Sequence, residues 1–225
     1  MTGLESLTWR KGGGRLVLIG GASGHWATTA GIDRATIAAL RRDGPIAFLP
    51  TAECENPGYG ASFLDRYAAL GAPRGCVIPI CDAASARDPK NVRALAQASL
   101  IYMGGGDTRL LLSTLAGSPA LDGLAEAYDA GAVIVGVSAG AIALCAHGVA
   151  LDPSVGVLEG WSWLPGVIVA PHFTPQRDAL LRHALDAHGS SIGLGLPDDL
   201  AIAFGPDSEV ETWGDGQVAV IGTDR

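Results

Sequence analysis

Ser138 lies in the run Val133-Ile-Val-Gly-Val-Ser-Ala-Gly-Ala-Ile-Ala-Leu144, where Gly136, Ser138 and Gly140 give the spacing G-x-S-x-G. A serine nucleophile needs a sharp, strained turn between a strand and a helix, so that its hydroxyl stands clear of the sheet. The β-branched residues before Ser138 read as a strand. The small residues at 136, 139, 140 and 141 remove the side chains that would collide around the turn. The helix that follows would aim its first N–H groups, Ala139 among them, at an oxyanion beside the serine. The plainer alternative is a glycine-rich turn with a helix-capping serine. The strand–turn–helix context favours the nucleophile.

A serine hydroxyl requires a base. Of the five histidines, His172 directly follows an apolar run, in Val169-Ala-Pro-His-Phe-Thr174, at the edge where Ser138 should emerge. His183 and His188 fall on an expected helix or its end and read as surface residues. His147 would sit about two to three helical turns beyond Ser138, facing away from it, and His25 stays a possible pocket residue. The imidazole needs a carboxylate to orient it. Asp198, in Gly195-Leu-Pro-Asp-Asp-Leu200, follows the histidine and precedes a strand. Asp152 and Glu159, between serine and histidine, stay open as alternatives, and Asp199 is a decoy. The run Tyr102-Met-Gly-Gly-Gly-Asp-Thr108 offers Gly105 and Gly106 as further oxyanion donors, because glycine lets backbone N–H groups approach a substrate closely. A phosphate-cradling loop is the competing reading; it lacks the P-loop lysine and the dinucleotide spacing.

These residues need a frame that gathers them. Apolar runs at 16–19, 46–49, 76–79, 99–103, 133–137, 167–170 and 201–204 read as strands. Helical patterns at 32–42, 62–70, 94–97, 110–115, 121–130 and 176–187 alternate with them. Such alternation predicts an α/β fold, a doubly wound, flavodoxin-like and mostly parallel sheet with helices on both faces. Residues 209–213 and 217–221, around Gly214-Asp215-Gly216, suggest a closing C-terminal hairpin. One domain over residues 1–225 is the expectation for this length. Sites in such sheets lie beyond the carboxyl ends of the strands. That rule independently selects residues 20–26, 50–55, 104–108, 138–141 and 171–174.

Composition narrows the function classes. A net charge of -8 and the lack of any basic run argue against a nucleic-acid partner. No run of about eighteen apolar residues offers a membrane span. The first residues lack the charged-then-apolar order of a signal peptide. The four cysteines, Cys54, Cys76, Cys81 and Cys145, show no C-x-x-C pair or zinc spacing. They are expected to be reduced thiols of a cytoplasmic protein, with Cys76 and Cys145 buried.

Gly-Gly-Gly-Asp-Thr at 104–108, Gly-Val-Ser-Ala-Gly-Ala at 136–141, Pro-His-Phe at 171–173 and Gly-Leu-Pro-Asp at 195–198 resemble the peptidase E and cyanophycinase family. Leu18-Ile-Gly-Gly21 and the stretch 46–52 fit it too, in the right order along nearly the whole chain. The family shares the architecture of class I glutamine amidotransferases, which carry cysteine where this chain has Ser138. The resemblance implies Ser138 as nucleophile, His172 as base, and Asp198 in the place of a family glutamate, with Asp152 still open. It implies a serine peptidase acting on short peptides through an acyl-enzyme, with Asp-X dipeptides foremost. No metal or cofactor is implied, and a homodimer is the family-level expectation. Arg177 is the candidate for holding an aspartate side chain, since a guanidinium fork suits a carboxylate; an exposed helix residue is the alternative. Glu53, Glu55 and Tyr59, after the second expected strand, could meet the substrate's amino group; a solvated loop face is the favoured alternative. A cyanophycinase-like hydrolase of β-aspartyl-arginine bonds, an esterase, and a non-catalytic binding protein complete the alternatives.

Overall fold

The computed structural model describes residues 3–23 and 28–222. The chain opens with β1 (Arg15–Ile19), α1 (Ala30–Ala38), β2 (Ile46–Leu49), α2 (Pro57–Ala69) and β3 (Gly75–Val77). It continues through α3 (Pro89–Gln97), β4 (Leu100–Met103), α4 (Thr108–Leu115), α5 (Pro119–Asp129), β5 (Val133–Val137) and α6 (Ala139–Leu144). Then come β6 (Cys145–Val149), β7 (Val157–Glu159), β8 (Leu164–Pro171), α7 (Asp178–His188) and β9 (Ile192–Leu196). The chain closes with β10 (Leu200–Phe204), β11 (Val210–Gly214) and β12 (Ala219–Gly222). Helix starts carry their expected signals: Asp88, Asp107 and Ser118 cap α3, α4 and α5, and proline opens α2, α3 and α5.

The α/β class stands, but the strands divide between two sheets where one was expected. The larger runs β11-β10-β1-β5-β4-β2-β3, and its β1, β5, β4, β2 and β3 are parallel. The second runs β12-β9-β8-β6-β7, with β6, β8 and β9 parallel. Alternation along β1 sends Leu16 and Leu18 into a core shared with Val167, Val169, Leu194 and Leu196 of the second sheet. Val17 and Ile19 face the opposite core with Phe63 and Tyr67 of α2. Fully buried Asp33 on α1 ties that layer together by accepting hydrogen bonds from Arg66 and Tyr67.

The closing hairpin does not form. Strand β11 pairs with β10, whereas β12 pairs with β9 in the other sheet. Gly214 and Gly216, at φ 100° and 141°, carry the chain from one sheet to the other. The helix after Ser138 is also short, and His147 lies on β6 opposite Glu159 instead of on a continued helix. Residues 139–146 are apolar throughout, so neither a helical nor a strand period marks the boundary.

The cysteine expectation is corrected too. Cys54 and Cys81 form a disulfide, Cys76 is exposed and unbridged, and only Cys145 is a buried free thiol. Parallel neighbours β2 and β3 bring the loops beyond their carboxyl ends together, with the two Cα atoms 5.7 Å apart. A sequence separation of 27 gives no hint of that meeting. Disulfides are rare in reducing compartments, so the cytoplasmic expectation loses its cysteine support. No helix among the described residues is long and apolar enough to cross a membrane.

Candidate active site

Strand β5 ends at Val137, and the chain turns through Ser138 into α6 with φ 49° and ψ −98°. That conformation is strained for a residue with a side chain. It is held by the Ser138 N–H donating to the Ile19 carbonyl at the end of β1 (3.0 Å). Gly136 is required here: a Cβ on it would lie 2.4 Å from the backbone of Gly140, where the turn folds back.

His172 follows β8 and Asp198 follows β9, two neighbouring parallel strands of the second sheet paired through Pro171 and Leu196. The His172 N–H donates to the Gly20 carbonyl beyond β1 (3.1 Å), which joins the second sheet's loop to the first sheet. As a result His172 Nε2 lies 2.9 Å from Ser138 Oγ, and His172 Nδ1 lies 2.7 Å from Asp198 Oδ1. Gly21 gives them room: a Cβ there would meet the His172 ring and Asp198 Oδ1 at 2.3 Å. The array has the geometry in which an imidazole accepts a hydroxyl proton while a carboxylate fixes its tautomer.

The other acids lie elsewhere. Asp152 is exposed and accepts from the Ser154 N–H (2.9 Å), which with the Ser154 hydroxyl holds its pKa below the usual carboxylate value. Glu159 sits on β7, and Asp199 turns to Ser23 and Thr28. Of the histidines, His183 and His188 are exposed on α7, as expected, and His25 falls outside the described residues.

The glycine loop approaches the serine through strand register. Met103 of β4 pairs with Gly136 of β5, so Gly105 comes level with Ser138, and a Cβ on it would lie 3.6 Å from the serine Cβ. The Gly105 N–H, however, donates to the Tyr59 hydroxyl (3.2 Å), which leaves Gly106 and Ala139 of the expected oxyanion donors. Burial pushes the Tyr59 phenol above its ordinary pKa, so it is neutral.

Two clefts have Ser138 and His172 in their linings. One, of about 390 Å³, is bordered by Glu53, Asn56, Tyr59 and Gly105. The other, of about 550 Å³, is bordered by Arg109, Asp152 and the apolar Ile142, Val155 and Leu158. Of the residues suggested for an amino group, Glu53 and Tyr59 border the first cleft and Glu55 neither.

Arg177, the candidate partner for a substrate carboxylate, is engaged by backbone instead. Its guanidinium donates to the carbonyls of Pro171, His172 (3.4 Å) and Ala150 (2.9 Å), and it borders neither cleft. Burial lowers its pKa from the ordinary guanidinium value. Arg109 drew no attention in the sequence. Its position one residue into a helix, directly after the glycine loop, was the available signal.

An α/β protein with hydrogen-bonded serine, histidine and aspartate at the carboxyl ends of its strands has the layout of a hydrolase. The chain belongs to peptidase family S51, whose family model matches residues 16–211. It is 29% identical to a cyanophycinase of Geminocystis herdmanii over 80% of this chain and 70% of that protein. It is 28% identical to cyanophycinases of Synechococcus elongatus and Thermosynechococcus vestitus, of which it spans 59% of the length. Among solved structures, a peptidase from an acI-B1 Actinobacterium superposes with a TM-score of 0.77 at 23% identity, covering 96% of this chain and 97% of the other. A putative peptidase E from Listeria monocytogenes gives 0.57 at 15% identity, covering 94% and 99%. These two likenesses concern the fold.

Proposed function

We propose that this protein is a serine peptidase that hydrolyses short peptides through an acyl-enzyme on Ser138. The observation that supports it best is the hydrogen-bonded series Asp198–His172–Ser138 on a strained turn. In this reading His172 Nε2 takes the Ser138 proton as Oγ attacks the scissile carbonyl, and returns it to the departing amine. Asp198 accepts the Nδ1–H and stabilises the imidazolium. The N–H groups of Gly106 and Ala139 receive the developing oxyanion. Water, deprotonated by the same imidazole, then releases the acyl group. Two clefts that share Ser138 and His172 in their linings leave room for a substrate around the bond cut.

Asp-X dipeptides remain the first substrates to try, although Arg177 is withdrawn as the aspartate partner. Hydrolysis of β-aspartyl-arginine is the second reading, favoured by the cyanophycinases among the relatives. The deciding experiment compares wild type with Ser138→Ala on Asp-Leu and on β-aspartyl-arginine, with fluorophosphonate labelling of Ser138 in parallel. Turnover of one substrate that disappears in the variant supports the corresponding reading. A Ser138 that neither labels nor turns over any member of a peptide library would end both.

A further inference from the structure

Arg109 borders the larger cleft together with Ser138 and His172. Its backbone N–H donates to Asp107, the cap of α4, which fixes where the side chain leaves the helix (2.8 Å). Among the described residues its guanidinium makes no hydrogen bond and no ion pair, and the side chain is exposed. Asp152 across the cleft feels its charge without pairing to it. The other arginine near the site, Arg177, is taken up by three carbonyls, and the smaller cleft is bordered by Glu53 and no arginine or lysine. Arg109 is therefore the positive charge with open donors on the cleft that Ser138 borders. A guanidinium with unfilled donors selects a carboxylate, which it can grip with two parallel N–H groups. Apolar Ile142, Val155 and Leu158 alongside leave room for a hydrocarbon side chain next to that charge.

We propose that Arg109 is a specificity-determining residue that binds a substrate carboxylate in the cleft shared with Asp152. Resting on the peptidase reading, this deepens it by assigning the residue that holds an anionic group lying within one residue of the scissile bond of a short peptide. Two groups have that chemistry, the side chain of an aspartate and the free C-terminal carboxylate of a dipeptide.

The test measures binding, so that it does not depend on turnover. Calorimetry would compare Asp-Leu, Asn-Leu, Asp-Leu amide and Asn-Leu amide on Ser138→Ala, on Ser138→Ala with Arg109→Ala, and on Ser138→Ala with Arg109→Lys. Loss of a charge-assisted contact is expected to weaken Asp-Leu about tenfold to a hundredfold in the Arg109→Ala protein, with partial recovery in Arg109→Lys. If Asn-Leu shows the same loss and the amides none, the C-terminal carboxylate is the ligand. If Asp-Leu amide shows it and Asn-Leu does not, the side chain is. Equal affinity with and without Arg109, an equal loss on all four peptides, or no binding of any of them overturns the proposal. Ser138 labelling in wild type reports separately on the peptidase reading, so either can fail alone.

Discussion

Asp198 and Asp199 are neighbours in sequence but serve opposite sides of one loop. Asp198 accepts from His172 Nδ1 at 2.7 Å. Asp199, at a left-handed φ of 58°, turns away to accept from the Ser23 N–H (3.2 Å), the Ser23 hydroxyl and the Thr28 hydroxyl (2.6 Å). The second carboxylate thus holds Ser23 and Thr28, while the first faces the histidine whose N–H donates to the Gly20 carbonyl.

Asp198→Asn and Asp199→Asn should therefore separate chemistry from positioning. The first is expected to lower kcat by about 10²- to 10⁴-fold, since an amide does not stabilise the imidazolium. The second should raise KM and lower Tm while leaving the Ser138 labelling rate within a few-fold of wild type. Equal losses of labelling in both variants would contradict the division.

The Asp199 pin should also be acid-labile. Burial alone raises its carboxyl, but hydrogen bonds from Ser23 and Thr28 outweigh that and hold the pKa below its ordinary value. A depressed folded-state pKa gives stability that is present above the unfolded value of about 4 and disappears as pH falls through the folded one. The Tm gap between wild type and Asp199→Asn should accordingly be full at pH 6 and close below about pH 4. A gap unchanged at low pH would assign the effect to packing.

The strained turn makes a prediction of its own. Ser138→Ala keeps a Cβ at φ 49°, whereas Ser138→Gly relieves it. The glycine variant should be more stable than the alanine variant by about 1 kcal/mol or more. Thermal melts of the two inactive proteins measure the difference.

Arg177→Met should act through the backbone that carries His172. It is expected to reduce kcat for Asp-Leu and Asn-Leu alike, because its guanidinium holds Pro171, His172 and Ala150. A loss confined to acidic peptides would instead restore it as the substrate's partner.

The Cys54–Cys81 bridge anchors the loop that supports the glycine segment, where the Asp107 N–H donates to the Ala52 carbonyl (2.7 Å). Replacing both cysteines by serine should cost about 3–4 kcal/mol by chain entropy for a loop of this length. It should also raise KM, since Glu53, Asn56 and Tyr59 follow on the same segment. Denaturant titrations with and without reductant check the first expectation and kinetics the second.

The sequence by itself determined the local pieces: the strand into Ser138, the glycines around it, the glycine loop, and His172 after a strand. Each depends on side-chain size or period within a few residues, and that information is carried locally. Asp198 was legible as a candidate but not separable from Asp152, because which carboxylate meets His172 depends on β8 and β9 being neighbours. Only the tertiary structure split the strands into two sheets and sent β12 away from β11, since pairing partners distant in sequence leave no periodic trace. The same holds for the placement of the two arginines. Arg177 lies near His172 in sequence, but the surrounding carbonyls capture its donors, whereas Arg109 reaches the cleft because β4 and β5 are adjacent. A guanidinium's role is set by which acceptors fold around it, and those come from segments that the sequence keeps apart.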